Sequence, residues 1–342
     1  MLPRARPAEH RVLRAAPHAP GAASSRAVPG PRTRPVATSA GLLVLLLLVG
    51  AAVAVLARPG GPATAGAAGS GEPARFPDDS CQSSAVRFGV VLPAGDTEGR
   101  AAADRLTTDL AEGLGCRAIA IPYATQARLV TALAMHDVDI AQLDPAAAIV
   151  ASRATGSVPA GAYAVDQDTP ARTAPTEMWV RRDAEVRSLG DLEGRRIALG
   201  PRLTAGGDLD PRSALLRAGV RPAEGDTIST DDDAQALEAL RAGRVDAAVT
   251  RGAPGTSRTR GLRRVWSATG SLADVVLLRP AIPRAVRRLI QVAIRDLPGA
   301  ALAPLAARQG IAEPAPLAVV PLDLYAPVAS RLDDLVAAGL TP

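Results

Sequence analysis

From Val86 onward, short apolar runs alternate with amphipathic segments, and this alternation constrains the fold more than any other feature of the sequence. Three of the runs are typical of buried strands, and a helical pattern follows each of them: "VRFGVVLP" (Val86–Pro93), "RAIAIPY" (Arg117–Tyr123) and "VDIAQLD" (Val138–Asp144). Three strand–helix units in succession predict a parallel sheet flanked by helices. A second alternating set follows from about residue 176, so we expect an α/β fold with two halves.

The first 80 residues are predicted to lie outside this folded part. Residues 1–37 are rich in Pro, Ala and Arg and lack apolar periodicity, which indicates a disordered basic tail. Residues 38–57 contain the uncharged run Ala40–Ala57, which at about 1.5 Å per residue is just long enough for a transmembrane helix. Residues 58–80 read as a Pro/Gly/Ala linker, and we expect the folded ectodomain to cover 81–342.

The formal net charge of +5 reflects the tail and not the folded part. The first 34 residues contain seven arginines and one acidic residue, Glu9, while the remainder is close to neutral and the whole chain lacks lysine. An arginine excess before the apolar run predicts a cytoplasmic N-terminus, a single pass through the cell membrane and an extracytoplasmic folded domain. A cleaved signal peptide ending near Ala57 is the alternative. Because the folded part is close to neutral, the sequence does not predict a nucleic-acid partner.

Cys81 and Cys116 are the two cysteines of the chain. An exported domain can oxidise such a pair, and each cysteine directly precedes one of the first two predicted strands. These strands are expected to be parallel neighbours, which would place both cysteines at the same edge of the sheet. We therefore predict a Cys81–Cys116 disulfide that closes a loop of about 35 residues and stabilises the fold by roughly 3–4 kcal/mol.

The stretch "IALGPRLTAGGDLDP", Ile197–Pro211, is the most suggestive candidate for a ligand site. A buried strand leads through a glycine-rich turn into a helix, and backbone N–H groups at such a point can hold an anion. The spacing matches neither a Walker A loop nor a dinucleotide-binding loop. Thr204 offers a hydroxyl and Arg202 a guanidinium. The pair Gly206–Gly207 would permit a positive φ or a close start of the helix.

The order of several motifs resembles the solute-binding proteins of phosphate, phosphite and phosphonate ABC transporters. The segments are "VDIAQLDPAAAIV", "MWVRRDAEVRSLGDLEGRRIALG", "DPRSALLRAGV" and "ALEALRAGRVDAAVT", and the resemblance covers roughly residues 86–297. It implies a two-lobed fold of the type II periplasmic-binding-protein class, the Venus flytrap, with a ligand in the cleft between the lobes. Lobe 1 is expected at about 81–165 plus 261–342, and lobe 2 at about 166–260.

The resemblance also implies the positions of the ligand site. Aligned on Pro211, three hydroxyl residues of the family loop fall on Thr204, Ala205 and Gly206, so that only the first keeps a hydroxyl. A pocket tyrosine falls on Ala148, a second tyrosine on Gln126, and a glycine that precedes a proline falls on Asp144. The predicted ligand-binding residues are Asp96, Gln126, Asp144, Ala148, Arg202, Thr204, Ala205 and Gly206. The lost hydroxyl groups predict weak binding of phosphonate and phosphate.

Three acidic residues lie at the predicted strand ends, namely Asp96, Asp144 and Asp208. Asp144 precedes Pro145 and is most simply a helix N-cap. If these carboxylates face the cleft, they repel a dianion and favour an amine, another cation or an uncharged polyol. The ligand class therefore stays open between an oxyanion and another polar solute.

No constellation of residues in the sequence predicts catalysis. His136 is the sole histidine after the apolar run, and no motif for a nucleophile, a metal or a cofactor accompanies it. We expect an exported, membrane-anchored solute-binding protein that binds a small ligand without catalysis, and the resemblance implies an ABC permease as partner. The alternative is a binding module that acts as a sensor input or cell-envelope interaction domain and feeds no transporter.

Overall fold

The computed structural model describes residues 85–166, 169–252, 254–311 and 316–341. All of them belong to one unit, Ser70–Pro342. The predicted tail, transmembrane helix and linker lie outside the described residues, as does Cys81, and those expectations stay predictions. Cys116 is buried beside the end of the first helix, and no described cysteine is free.

The first sheet has five strands in the order β2-β1-β3-β10-β4. β1, β2 and β3 are parallel, whereas β10 returns from late in the chain and is antiparallel to both β3 and β4. The parallel sheet predicted from the three strand–helix units is therefore confirmed. The strands are β1 (Val86–Val91), β2 (Ala118–Tyr123), β3 (Ile140–Leu143), β4 (Val158–Ala162) and β10 (Val275–Leu278).

Three helices connect these strands, and short polar side chains determine where each begins. Asp96, Thr125 and Asp144 each accept a hydrogen bond from a backbone N–H in the first turn of the helix that follows. Such caps satisfy amide groups that have no partner inside the helix. The helices are α1 (Thr97–Leu114), α2 (Gln126–Ala134) and α3 (Pro145–Thr155).

The second sheet repeats this arrangement in the order β7-β6-β8-β5-β9. β6 is parallel to β7 and β8, while β5 is antiparallel to β8 and β9. The strands are β5 (Thr176–Arg181), β6 (Ile197–Leu199), β7 (Thr227–Ser229), β8 (Ala247–Arg251) and β9 (Leu262–Ala268). Its helices are α4 (Asp210–Arg217) and α5 (Asp233–Arg241), with short 3-10 turns at Leu189–Leu192 and Glu224–Asp226.

The chain passes between the two sheets twice, after β4 and after β9. The two connecting segments run antiparallel, and Arg172 lies opposite Leu272. The sequence placed the return to lobe 1 at about residue 261, which is too early. β9 completes the second sheet by pairing along the whole of β5, so lobe 2 extends to about Ala268.

The C-terminal part contains α6 (Arg284–Arg295), α7 (Gly299–Ala307), a 3-10 turn at Leu322–Tyr325 and α8 (Ala326–Ala337). Buried side chains of α8 share one apolar cluster with Ala147 of lobe 1 and with Ala205 and Leu209 of lobe 2. The two lobes are thus in direct apolar contact.

Within the described ranges, no single helix is long and apolar enough to cross a membrane. Among the described helices, α6 and α7 taken together reach the necessary length and composition, and they meet at an angle of 81°.

Candidate functional site

The loop between β6 and α4 is held together by contacts of its own glycines. Gly200 N–H donates to the carbonyl of Gly207 at 2.8 Å, and a side-chain carbon at Gly207 would lie 2.6 Å from the Thr204 hydroxyl. The chain then forms a π-helical turn, Ala205–Leu209, that continues into α4. The glycines therefore serve close packing, whereas the positive φ of this loop belongs to Leu203, at 59°.

The hydroxyl of Thr204 is engaged within the loop. It donates to the carbonyl of Pro201 at 2.6 Å, and the residue is buried. A hydroxyl has one proton to donate, so this bond leaves Thr204 only as an acceptor toward a ligand. Thr204 thus lies in the loop between β6 and α4, but its hydroxyl proton is donated to the backbone of that loop.

Asp144 joins the two lobes through a single carboxyl oxygen. Its Oδ1 accepts a hydrogen bond from Ala146 N–H at 2.9 Å, which caps α3 in lobe 1. The same atom accepts from Ala205 N–H at 2.7 Å, which belongs to the loop of lobe 2. The helix-terminal amides that the sequence predicted as an anion cradle therefore hold a carboxyl group of the chain itself.

Desolvation dominates the electrostatics of this carboxyl. Asp144 is partly buried as a residue, but burial of its carboxyl and the charge of Asp274 raise its pKa to about 8, against the lowering effect of the two amide bonds. At neutral pH the group is therefore mostly protonated and still accepts both hydrogen bonds. The carboxyl therefore occupies the two amides mainly by accepting their hydrogen bonds and only secondarily through negative charge.

Gln126 and Ala148 lie in the same group as Asp144. The side-chain carbonyl of Gln126 accepts from Asp144 N–H at 3.3 Å, and Gln126 is buried at the start of α2. Ala148 is fully buried in the apolar cluster that also contains Ala205. We name Gln126, Asp144, Ala148, Thr204 and Ala205 the interlobe group.

A second carboxyl that sequence reasoning missed extends the interlobe group. Asp274 directly precedes β10 and accepts from Gln142 Nε2 at 3.0 Å, and Tyr163 donates its hydroxyl to Gln142 Oε1 at 3.3 Å. Burial raises the pKa of Asp274 to about 6, although the bond from Gln142 lowers it. An acidic residue at the start of the apolar run "VVLL" was the available sequence signal.

Two hydroxyl groups near the interlobe group have no hydrogen-bond partner among the described residues. Tyr325 is fully buried, and its pKa is raised by burial and by the charges of Asp274 and Asp144. Thr176 is also buried, and its hydroxyl faces Gly206, where a side-chain carbon would lie 2.9 Å away. These two hydroxyl groups are thus left without hydrogen bonds in the structure and are available to a ligand.

Gly206 itself contributes no side-chain group to the interlobe group. Its predicted role rested on a hydroxyl position of the family loop, and a larger residue there would require the Thr176 hydroxyl, 2.9 Å from the added carbon, to shift. What remains at this position is a buried backbone that keeps the loop close to β5.

Two of the predicted ligand-binding residues, Arg202 and Asp96, bond to other partners outside the interlobe group. Arg202 forms an ion pair with Glu224 at 3.0 Å and donates to the carbonyl of Thr341, so its guanidinium is used at the surface. Asp96 caps α1 through Gly99 N–H at 2.9 Å and forms an ion pair with Arg308. Neither side chain joins the interlobe group, because a nearby opposite charge or helix end satisfies each of them.

Asp208, the third acidic residue of the sequence prediction, forms a buried ion pair with Arg212. Asp208 Oδ1 and Arg212 Nε are 2.5 Å apart, and the two side chains are 2% and 4% exposed. Burial raises the pKa of Asp208, although Arg212 acts in the opposite direction. This carboxylate is therefore neutralised by its partner and does not repel a ligand in the cleft.

No group of three or more His, Cys, Asp or Glu side chains suited to a metal ion occurs in the described part of the chain. The interlobe group and its neighbours Gln142, Asp274, Thr176 and Tyr325 instead combine backbone amides, side-chain amides, hydroxyls and two carboxyls of raised pKa. Such a set can bind and orient a small polar molecule by hydrogen bonds once the lobes separate.

A family model described as "ABC transporter, phosphonate, periplasmic substrate-binding protein" matches residues 88–317, which is more than half of the chain. The match confirms the resemblance that the motifs indicated. No curated protein matches the chain.

Solved structures with the same fold include PhnD1 from Prochlorococcus marinus in complex with methylphosphonate, at 14% identity and a TM-score of 0.59. The alignment covers 73% of this chain and 98% of that one. XAC2383 from Xanthomonas citri, in a structure bound to chloride ion, is 17% identical with a TM-score of 0.58, covering 73% and 99%. A phosphonate-transporter binding protein from Pseudomonas aeruginosa is 16% identical with a TM-score of 0.57, covering 72% and 85%. These similarities confirm the two-lobed fold.

Proposed function

The chain belongs to the family of phosphonate periplasmic substrate-binding proteins of ABC transporters, and from this premise we propose that it binds a small polar solute in the cleft between its lobes. In this proposal the protein is exported, stays anchored by its N-terminal apolar run, delivers the solute to a permease and carries out no catalysis. The comparisons do not favour the alternative of a sensor input or envelope module.

The observation that carries the proposal is the contact between Asp144 and Ala205. It joins lobe 1 to lobe 2 through the amides at two helix starts, which is the arrangement expected of a cleft that closes on a ligand. Here a carboxyl of the chain takes the place that a ligand oxygen would need. A solute must therefore displace Asp144 from Ala205 or bind beside it.

This arrangement disfavours phosphonate and phosphate as tight ligands. Relative to the family pattern the chain lacks two hydroxyl groups in the loop, at Ala205 and Gly206, and a pocket tyrosine at Ala148, each worth about 0.5–1.5 kcal/mol as a neutral donor. The combined loss of about 1.5–4.5 kcal/mol corresponds to roughly one to three decades of affinity. Occupation of the Ala205 amide by Asp144 adds to that loss. We therefore expect the natural ligand to be a polar solute that does not depend on a dianionic group.

Titration calorimetry of the full chain in detergent with methylphosphonate tests the role of Asp144. We expect the parent protein to bind weakly or not at all. Asp144→Gly, which restores the glycine of the family pattern and frees both amides, should bind at least about tenfold more tightly. Asp144→Asn keeps the acceptor and should not gain affinity, which separates occupation of the cradle from charge.

Asp232→Gly is the matched control for this experiment. Asp232 is also an N-cap aspartate, and its carboxylate accepts from Gln235 N–H at 2.7 Å at the start of α5. Replacing an N-cap by glycine costs only a few tenths of a kcal/mol, so both variants should fold. Sub-micromolar binding of methylphosphonate by the parent protein, lost in Thr204→Ala, would contradict the proposal.

The proposed anchor and disulfide rest on the sequence. Full-length protein should stay in the membrane fraction after high-salt and carbonate washes, with the folded domain accessible from outside the cytoplasm. A soluble mature form that begins near Arg58 would show instead that the apolar run is a cleaved signal.

The proposed Cys81–Cys116 disulfide should leave no alkylatable thiol in the exported protein.

A further inference from the structure

A cavity of about 370 Å³ lies beside the segments that connect the two lobes. Its walls come from both connecting segments, from α4 of lobe 2 and from the 3-10 turn and α8 near the C-terminus. None of the residues predicted to bind ligand lines this space. We name it the hinge cavity, and its volume is within the range of about 300–1,000 Å³ that is typical of small-molecule sites.

The polar lining of the hinge cavity is predominantly cationic. It includes three arginines, Arg172, Arg217 and Arg331, against one acidic residue, Asp210. Asp210 is already engaged, because it accepts from Ser271 Oγ at 2.6 Å and lies 2.9 Å from Arg331 Nε. The lining therefore carries an excess of two positive charges.

The three arginines retain unused donors. Arg172 donates one bond to the carbonyl of Gly270 at 3.0 Å, and it is exposed. Arg217 forms no ion pair with any residue that the structure describes. A guanidinium has five N–H donors in a planar fork that matches a carboxylate or a phosphonate group. These donors around one cavity favour an oxyanion.

Apolar side chains form the remaining wall. The indole of Trp266 is partly buried against the core of lobe 2, and Leu272, Leu324 and Val328 also line the space. An aromatic or aliphatic body can pack against this wall while an anionic group meets the arginines. A bare inorganic ion would leave that wall without a contact.

We propose that the hinge cavity is a second ligand site, which binds a small organic anion with an apolar body and one oxyanion group. The site is separate from the interlobe group and does not depend on the function proposed for it. Because its walls belong to both connecting segments, to α4 and to α8, the ligand would contact the region where the lobes join.

Fluorescence titration of the full chain with phenylphosphonate tests this site. The protein has two tryptophans, and Trp179 donates to Thr250 Oγ1 in lobe 2, away from the cavity lining. Trp179→Phe therefore leaves Trp266 as the only reporter. We expect a saturable change of its emission with a Kd between about 10 µM and 1 mM.

Two probes and three variants define the recognition. Benzylamine, which has the same ring but a positive charge, should not bind, and inorganic phosphate should bind more weakly than phenylphosphonate.

Arg217→Gln should weaken phenylphosphonate binding by at least about tenfold, since a charge-assisted pair is lost. Arg172→Gln is a second variant with the same expected direction. Arg105→Gln, an exposed arginine on α1 outside the lining, should leave the affinity unchanged.

The absence of a fluorescence change up to about 10 mM phenylphosphonate would overturn the proposal. So would binding that Arg217→Gln and Arg172→Gln leave at the level of Arg105→Gln. Binding that responds to Asp144→Gly but to neither arginine variant would place the ligand in the interlobe cleft. Failure of Asp144→Gly to gain methylphosphonate affinity concerns only the interlobe cleft and leaves the hinge cavity unaffected.

Discussion

The interlobe group and the hinge cavity differ in how far their ionisable side chains are removed from water. In the interlobe region, burial raises the pKa of Asp144 to about 8 and that of Asp274 to about 6. In the hinge cavity, Arg172 and Arg217 are exposed and Arg331 is 28% exposed, so their guanidinium groups keep contact with water.

The difference shows that solvent access and residue type together decide what each region offers to a ligand. The Asp144 carboxyl has lost its water, is mostly protonated at neutral pH and is satisfied by neighbouring amides, so it behaves as an internal ligand. A guanidinium keeps its charge in proteins, and the exposed guanidinium groups that line the hinge cavity have unused donors. Asp144 therefore links the two lobes across the cleft, while the arginines of the hinge cavity are available to an anion.

The largest effect is expected from Arg212, the buried counterpart of the exposed Arg217 on the same helix. Arg212→Met should lower the free energy of unfolding by about 3–5 kcal/mol, because Asp208 would be left buried without its partner. Urea denaturation of the parent and the variant measures this loss. Arg217→Met is the matched control and should change stability by less than about 0.5 kcal/mol.

The double variant Asp208→Leu, Arg212→Met tests whether the loss of stability comes from the unpaired Asp208. Replacing both partners of a buried ion pair by apolar residues is often neutral or stabilising, so most of the lost stability should return. A double variant as unstable as Arg212→Met alone would mean that the ion pair is not the source of the loss.

A smaller effect is expected from pH. The unfolded Asp144 carboxyl titrates near 3.8, whereas the folded one keeps its proton up to about pH 8. The stability that this group contributes is thus complete below about pH 4 and is lost as the pH rises toward 8. Between about pH 5.5 and 8.5 the unfolding free energy should fall by about 2–3 kcal/mol, a figure reduced by the partial exposure of the residue.

Thermal unfolding followed by circular dichroism across this range checks the pH effect. Asp144→Asn cannot titrate, so its melting temperature should depend much less on pH than that of the parent. Equal slopes for the two proteins would show that Asp144 is ionised in the folded state and that the contrast with the hinge arginines does not hold.

The smallest effect is expected from Tyr325→Phe. The Tyr325 hydroxyl is fully buried and has no partner among the described residues, so its removal should change stability by less than about 1 kcal/mol and should tend to stabilise. Tyr163→Phe is the control, because the Tyr163 hydroxyl donates to Gln142 and its loss should destabilise. A larger destabilisation by Tyr325→Phe than by Tyr163→Phe would reveal a partner in solution.

Several elements of the fold were predictable because their signals are local. The strands at Val86–Val91 and Ala118–Tyr123 follow from apolar runs, and the start of α3 follows from Asp144 before Pro145. The end of lobe 2 was not predictable in the same way. The strand Leu262–Ala268 reads as a strand in either lobe, and only its pairing with β5 assigns it to the second sheet.

The candidate site was predicted in part. Asp144, Gln126, Ala148 and Ala205 were identified as neighbours, and the structure brings them together, whereas Thr204 bonds within its own loop. Arg202 and Asp96 were also expected there, but each has an opposite charge nearby, on Glu224 and on Arg308. Arg308 is more than 200 residues distant from Asp96 in sequence, so no local pattern could indicate that pairing.

The α/β class, the helix caps and the positions of the strand-end turns depend on residues within a few positions of one another, so they can be read from the chain alone. Which groups those turns face depends on how distant segments pack together. The Asp144 carboxyl can cap α3 alone, but its second bond to Ala205 requires both lobes to be in place. Its raised pKa has the same origin, since desolvation depends on everything packed around a group and not on its neighbours in the chain.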